Sequence, residues 1–91
     1  MDRYTALTND QALHSVVDYY GRMIGYVPDE EKQAFFSKAI ANGLTFDTLW
    51  AAIDYAVSVC GYGRPERDYW PHIQKEARRI WREMKKEKAA P

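Results

Sequence analysis

Apolar residues recur every three or four positions in four successive segments of the chain, which is the spacing of one face of an α-helix. The first segment follows a capping-box pattern, Thr8 with Gln11 three residues later, and ends at Gly25, a residue typical of a left-handed helix cap. The apolar stripe between these signals consists of Leu13, Val16, Val17, Tyr20 and Ile24. We therefore expect a first helix that starts beside Thr8 and packs through this stripe.

A proline and a glycine delimit the second segment. Pro28 suits the first position of a helix, and the acidic residues that follow it are favoured by the dipole at a helix N-terminus. Asn42-Gly43 ends the segment. We expect a second helix that begins at Pro28 and has the buried face Phe35, Phe36, Ala39 and Ile40.

The third segment has apolar residues on two sides. Thr45 is a preferred capping residue at its start. The main stripe consists of Phe46, Leu49, Ile53, Ala56, Val57 and Cys60, and a weaker one of Ala52, Tyr55 and Val59. A helix that is apolar on two sides is packed from both directions, so this pattern predicts that the third helix is the central one.

A turn over residues 61–65 separates the third segment from the fourth. The fourth helix is predicted to start at Asp68 or Trp70, with Pro71 in its first turn, and to end at about Lys86. Its predicted apolar face is Ile73, Ala77, Ile80 and Met84, with Trp70 and Trp81 at the edge.

The length of 91 residues and the hydrophobic content of 46% suit one ordered domain. The four segments predict a small all-α bundle of about four helices. We expect one domain over residues 1–91, with its core in about residues 9–86 and a frayed tail at 87–91. The predicted core residues are Leu13, Val17, Phe35, Ile40, Leu49, Ile53, Val57, Ile73, Ile80 and Trp81.

Charge is divided between the two parts of a chain whose net charge is zero: residues 1–63 carry −4 and residues 64–91 carry +4. At about 100° per residue, the basic residues of the fourth helix fall opposite its apolar face. They are Lys75, Arg78, Arg79, Arg82, Lys85 and Lys86. Like charges one turn apart repel each other, so this face favours an anionic partner such as a phosphate backbone or an acidic protein surface. The alternative is a solvated outer face whose repulsion Glu76 and Glu83 relieve.

Aromatic and basic residues alternate where the fourth helix begins. They are Arg64, Arg67, Tyr69, Trp70 and His72. Rings that stack on bases, beside cations that hold phosphates, are typical of single-stranded nucleic-acid binding, and such rings also serve as hot spots of protein interfaces. The alternative is that Tyr69 and Trp70 seal the core against the third helix.

Residues of catalytic or metal-binding type do not form a recognisable motif in this sequence. His14 and Asp18 share a helix face but provide only two metal ligands. Cys60 lies on an apolar stripe, where a buried and inert thiol is expected, and His72 is its only candidate base. We therefore predict a protein without enzymatic activity, metal or cofactor.

Three features of the sequence indicate a cytoplasmic protein. A single cysteine fits a reducing compartment. The N-terminal residues do not have the pattern of a signal peptide. No apolar run approaches the length of about 18 residues that spans a bilayer, so no membrane partner is expected.

Four short motifs carry a resemblance to a known family. They are Tyr19-Tyr20-Gly21, Pro28-Asp29-Glu30-Glu31, Leu49-Trp50-Ala51-Ala52-Ile53-Asp54-Tyr55-Ala56, and Tyr69-x-x-x-Ile73 followed by Trp81. In this order they are similar to the C-terminal domain of DnaD-type replication proteins of Gram-positive primosomes and phage replication modules, over roughly residues 15–85. The family pattern has tryptophan at position 77, where this chain has Ala77. The resemblance implies a helical domain that binds DNA and primosome partners through Tyr69, Ile73 and the basic residues of the last helix.

These patterns together favour a non-enzymatic nucleic-acid-binding or replication-module accessory protein, with DNA or a bacterial protein complex as its partner. A second hypothesis is a small phage or mobile-element protein that binds and inhibits a host protein or a nucleic-acid-processing complex, and a third is a homodimerising helical module. The predicted binding residues are Arg64, Arg67, Tyr69, Trp70, Lys75, Arg78, Arg79, Arg82, Lys85 and Lys86. A salt titration of DNA binding separates the first hypothesis from the others.

Overall fold

The computed structural model describes the backbone of residues 8–89 and the side chains of residues 8–86. Four helices and no strand occupy the described part of the chain, which confirms the predicted all-α class. The helices are α1 (Asn9–Ile24), α2 (Glu30–Ala41), α3 (Phe46–Cys60) and α4 (Glu66–Ala89). None of the helices among these residues is long and apolar enough to cross a membrane.

The capping signals of α1 and α3 lie where the sequence predicts them. Thr8 and Gln11 form a reciprocal capping box, in which each side chain accepts a hydrogen bond from the backbone N–H of the other residue. Gly25 closes α1 with a φ of 88°, a left-handed conformation that favours glycine. At α3, the Thr45 hydroxyl accepts from the backbone N–H of Thr48.

The start of α2 differs from the prediction by two residues. Asp29, and not Pro28, caps the helix, because its carboxylate accepts a hydrogen bond of 2.9 Å from the backbone N–H of Lys32. Pro28 lies before the cap and is buried. Its carbonyl accepts a hydrogen bond of 2.8 Å from the Gln33 side chain, which holds the incoming chain against the first turn of α2.

Both predicted ends of α4 are wrong. The helix begins at Glu66, ahead of the predicted Asp68 or Trp70, because Pro65 supplies the first carbonyl and accepts from the backbone N–H of Asp68. Pro71 consequently lies inside the helix and not in its first turn. The helical backbone continues past Lys86 to Ala89, and the last two residues of the predicted frayed tail lie outside the described residues.

The helix α3 lies at the centre of the fold, as predicted, and packs against both α1 and α4, while α2 packs mainly against α1. The buried apolar residues come from all four helices and the turn before α3. They are Ala12, Val16, Tyr20, Ile24, Phe36, Ala39, Ile40, Leu44, Leu49, Ala52, Ile53, Ala56, Val57, Tyr69, Ile73 and Ala77.

Several predicted core positions are less buried than expected. Val17 and Ile80 are only half-buried, because each lies at the side of its helix and not on the line that faces the core. Leu13, Phe35 and Trp81 are also partly exposed, although they pack against the core. In the weaker stripe of α3, Ala52 is buried, whereas 45% of Tyr55 and 51% of Val59 are exposed. The central position of α3 therefore rests on its main stripe.

A polar network joins α1, α2 and α4 at the edge of the core. The hydroxyl of Tyr20, a fully buried residue, donates a hydrogen bond of 2.8 Å to the Glu66 carboxylate. The Lys32 ammonium lies 3.8 Å from the other carboxylate oxygen. Burial and the hydrogen bond to Glu66 raise the pKa of Tyr20, which keeps the phenol neutral. This network places the first turn of α4 against the two preceding helices.

Replacing Tyr20 with phenylalanine should lower the free energy of unfolding by about 1.5–3 kcal/mol, since a hydrogen bond to a charged acceptor is lost within a packed region. Urea denaturation of the two proteins measures this difference. The control is Tyr26→Phe, because Tyr26 is 52% exposed and its substitution should change stability by less than about 0.5 kcal/mol. Equal effects of the two substitutions would contradict a stabilising role for the network.

Candidate nucleic-acid interface

Four cations follow one another along the exposed side of α4. Lys75, Arg78, Arg82 and Lys85, which we call the α4 stripe, border a shallow trough together with Pro71, Gln74 and Trp81. Among the described side chains, no carboxylate forms an ion pair with any of the four. The α4 stripe therefore presents charge that the fold leaves uncompensated at short range.

Arg79 differs from its basic neighbours because two carboxylates hold it. Its guanidinium donates to Glu76 through Nε at 3.2 Å and to Glu83 through Nη1 at 2.9 Å. The Arg79 guanidinium lowers the pKa of Glu76, so this carboxylate stays charged. Of the predicted binding residues on α4, Arg79 is thus the one whose charge the neighbouring glutamates neutralise. Lys86 is exposed.

The predicted aromatic residues at the start of α4 are engaged in the fold. Tyr69 is 1% exposed, and its hydroxyl donates to the Gly61 carbonyl and accepts from the Arg64 backbone N–H. The indole of Trp70 packs edge-on against the rings of Tyr20, Phe35 and Phe36. The alternative interpretation, in which Tyr69 and Trp70 seal the core, therefore agrees with their positions, although Trp70 seals it against α1 and α2.

The two arginines at the entry to α4 are exposed. Arg64 Nε lies 3.4 Å from the Asp68 carboxylate, one turn further along the helix. Arg67 is exposed without an ion pair among the residues that the structure describes. Neither arginine borders the trough along the α4 stripe.

The ring that does lie beside the α4 stripe is Trp81. It is half-buried, and the Lys85 ammonium lies 5.0 Å from its ring centre. Trp81 and Arg78 also line a second, mainly apolar depression of about 130 Å³ between α2 and α4, which we call the α2–α4 cleft. Its walls are Phe35, Lys38, Ala39, Leu44, Ala77, Arg78 and Trp81.

Sequence reasoning missed the contribution of α2 to this region. The sequence predicts Phe35 as a core residue and gives Lys38 no role, yet both line the α2–α4 cleft. The Arg78 guanidinium lies over the Phe35 ring at 5.7 Å, which brings the two helices together here. The single available signal was the spacing of Phe35 and Lys38, which places a ring and a cation side by side on α2.

Cys60 is partly exposed and not buried as predicted, because it is the last residue of α3 and the chain turns away at Gly61. Its thiol donates to the Asp68 carbonyl at 3.4 Å. With His72 it borders an open depression between α3 and α4. His72 makes an edge contact with the Tyr55 ring.

His14 and Asp18, the two side chains of metal-ligand type on α1, gain no further ligand among the described side chains. Within residues 8–86, no group of three or more histidine, cysteine or acidic side chains is placed to hold a metal ion. Asp18 pairs instead with Arg22 at 3.1 Å on the surface of α1.

Comparisons with protein-family models, with curated proteins and with solved structures find no match to this chain. The resemblance to DnaD-type domains therefore stays a prediction that rests on the four sequence motifs.

Proposed function

We propose that this protein binds nucleic acid non-enzymatically through the α4 stripe and acts as an accessory factor of a nucleic-acid-processing complex. The observation that carries the proposal is a row of four cations on one exposed helix face, none of which forms an ion pair with a carboxylate of residues 8–86. Phosphate contacts of this kind supply most of the sequence-independent affinity of nucleic-acid-binding proteins.

The geometry of the α4 stripe suits a chain of phosphates. Lys75 and Lys85 are separated by about 15 Å along the helix axis, at about 1.5 Å per residue, and Arg78 and Arg82 lie between them. A linear row of positive charge matches an extended polyanion better than it matches a compact anionic ligand. Glu76 and Glu83 support this arrangement, because both pair with Arg79 and neither pairs with a cation of the α4 stripe.

A protein partner is the second candidate. Tyr55 and Val59 lie one turn apart on α3 and are each about half-exposed, and exposed apolar residues of this kind favour contact with another protein. In this case the protein would act as a small binding or inhibitory factor, and the α4 stripe would contact an acidic protein surface.

The first test removes two cations from the α4 stripe. Arg78→Ala/Arg82→Ala should weaken the binding of a fluorescein-labelled 20-nucleotide dT strand, and it should flatten the slope of log affinity against log salt by about 1.4, at roughly 0.7 per lost single-strand contact. Fluorescence anisotropy at several salt concentrations measures both quantities. Thermal melting should show a change in stability of less than about 1 kcal/mol, because relief of like-charge repulsion offsets the lost contact of Arg78 with the Phe35 ring.

The matched control for this test is Arg79→Ala, which removes one positive charge from the same helix but from a position already held by two glutamates. Its salt slope should stay close to that of the unmodified protein. If no oligonucleotide binds at low salt, or if the double variant binds with an unchanged salt slope, the proposed function is wrong.

A further inference from the structure

We propose that the α2–α4 cleft receives one unstacked base of a single nucleic-acid strand whose phosphates lie along the α4 stripe, so that the protein prefers a single strand to a duplex. This inference rests on the proposed function and specifies its substrate. It follows from the juxtaposition of an apolar cleft, an accessible tryptophan and a row of cations on one side of the molecule.

The α2–α4 cleft has the size and lining that a single aromatic ring requires. Its volume of about 130 Å³ is close to that of apolar cavities known to take a benzene ring, about 150 Å³. Phe35, Leu44 and Trp81 provide apolar walls, and the small side chains of Ala39 and Ala77 leave the space between the two helices. Stacking of a base on an aromatic ring is tolerant of sequence, because every base has a flat face.

The charge around the cleft indicates an anionic ligand. Lys38 from α2 and Arg78 from α4 are the charged residues of its lining, and both are positive. A nucleotide matches this arrangement, since it joins a flat ring to a phosphate. Lys38 and Arg78 have only hydrogen-bond donors, which suits the acceptor oxygens of a phosphate.

Continuity between the cleft and the α4 stripe favours a nucleic-acid strand over an acidic peptide. Trp81 and Arg78 line both the cleft and the trough along the stripe. A base placed against Trp81 would therefore have its neighbouring phosphates within reach of Arg82 and Lys85. In a duplex the bases are stacked and paired, so they cannot enter the cleft without a cost in unpairing energy.

Two substitutions test the cleft without removing a cation of the α4 stripe. Trp81→Leu keeps an apolar side chain but removes the stacking ring, and it should weaken binding of the dT 20-mer by about 10-fold. Lys38→Ala removes a rim cation on α2, away from the stripe, and should flatten the single-strand salt slope by about 0.7. A 20-base-pair duplex, measured in the same buffers, should bind more weakly than dT and should respond little to either substitution.

The matched control for the first substitution is Trp50→Leu. Trp50 is also half-buried, but it stacks on Tyr19 between α1 and α3, outside the proposed site. Its loss should leave dT binding unchanged. Because Lys38 is exposed, Lys38→Ala should fold normally and keeps the proposal testable even if Trp81→Leu is unstable.

The results that would overturn the cleft proposal differ from those that would overturn the proposed function. The cleft proposal is overturned if the duplex binds as tightly as dT, or if Trp81→Leu and Lys38→Ala both bind dT normally while Arg78→Ala/Arg82→Ala does not. This last result would leave the proposed function intact. Absence of binding to all oligonucleotides, with binding of a poly-glutamate peptide instead, would overturn both proposals.

Discussion

Replacing Ile53 with alanine should lower the free energy of unfolding by about 2–5 kcal/mol, the range measured when a buried aliphatic side chain leaves a cavity. Ile53 has 0% of its surface exposed and lies on the main stripe of α3, the helix that contacts both α1 and α4. A cavity at this position removes contacts on two sides of the core at once. The helices surrounding α3 are held by its side chains and cannot collapse into the space without losing other contacts.

Urea denaturation followed by circular dichroism measures this loss. Val59→Ala is the matched control, because Val59 lies on the same helix but is 51% exposed, and its truncation should change stability by less than about 0.5 kcal/mol. A loss below about 0.5 kcal/mol for Ile53→Ala would show that α3 is not the central helix.

Local chemistry explains why much of the fold could be predicted from the sequence. The capping residues Thr8, Gly25 and Thr45 act within three or four residues of their own position, so their effect is visible without tertiary structure. The start of α4 could not be read in the same way, since Pro71 and Pro65 are both compatible with a helix N-terminus. The helix starts earlier, at Glu66, and this residue contacts Tyr20 and Lys32, which are distant from it in sequence.

One part of the candidate site could be predicted from local sequence, and the other part could not. The α4 stripe follows from helical periodicity, and the pairing of Arg79 with Glu76 and Glu83 involves neighbours three and four residues away. The α2–α4 cleft depends instead on how Phe35 and Trp81 meet across two helices, which periodicity within one helix does not determine. Tyr69 and Trp70 are predicted binding residues because they lie beside basic residues in the sequence. Packing, which the sequence pattern does not show, turns both rings inward.

Replacing Trp70 with alanine should destabilise the fold by about 3 kcal/mol, the lower end of the range for aromatic truncation, because the residue is half-buried. Its indole lies 5.4 Å from the ring centre of Phe35, 5.6 Å from that of Phe36 and 6.4 Å from that of Tyr20. Edge-to-face contacts of this kind add to the burial energy. The Lys32 ammonium lies 5.4 Å from the Trp70 ring centre, so the same side chain also orders the network around Glu66.

Thermal melting and dT binding, measured on the same Trp70 variants, distinguish a core role from a binding role. Trp70→Phe keeps an aromatic ring in the cluster and should cost less than about 1.5 kcal/mol. Its affinity for the dT 20-mer should equal that of the unmodified protein, because the Trp70 ring is engaged by other rings of the fold. If Trp70→Ala melts normally but loses dT binding, the base-stacking ring is Trp70, as the alternation of aromatic and basic residues in the sequence suggested, and Trp81 is not the ring that receives the base.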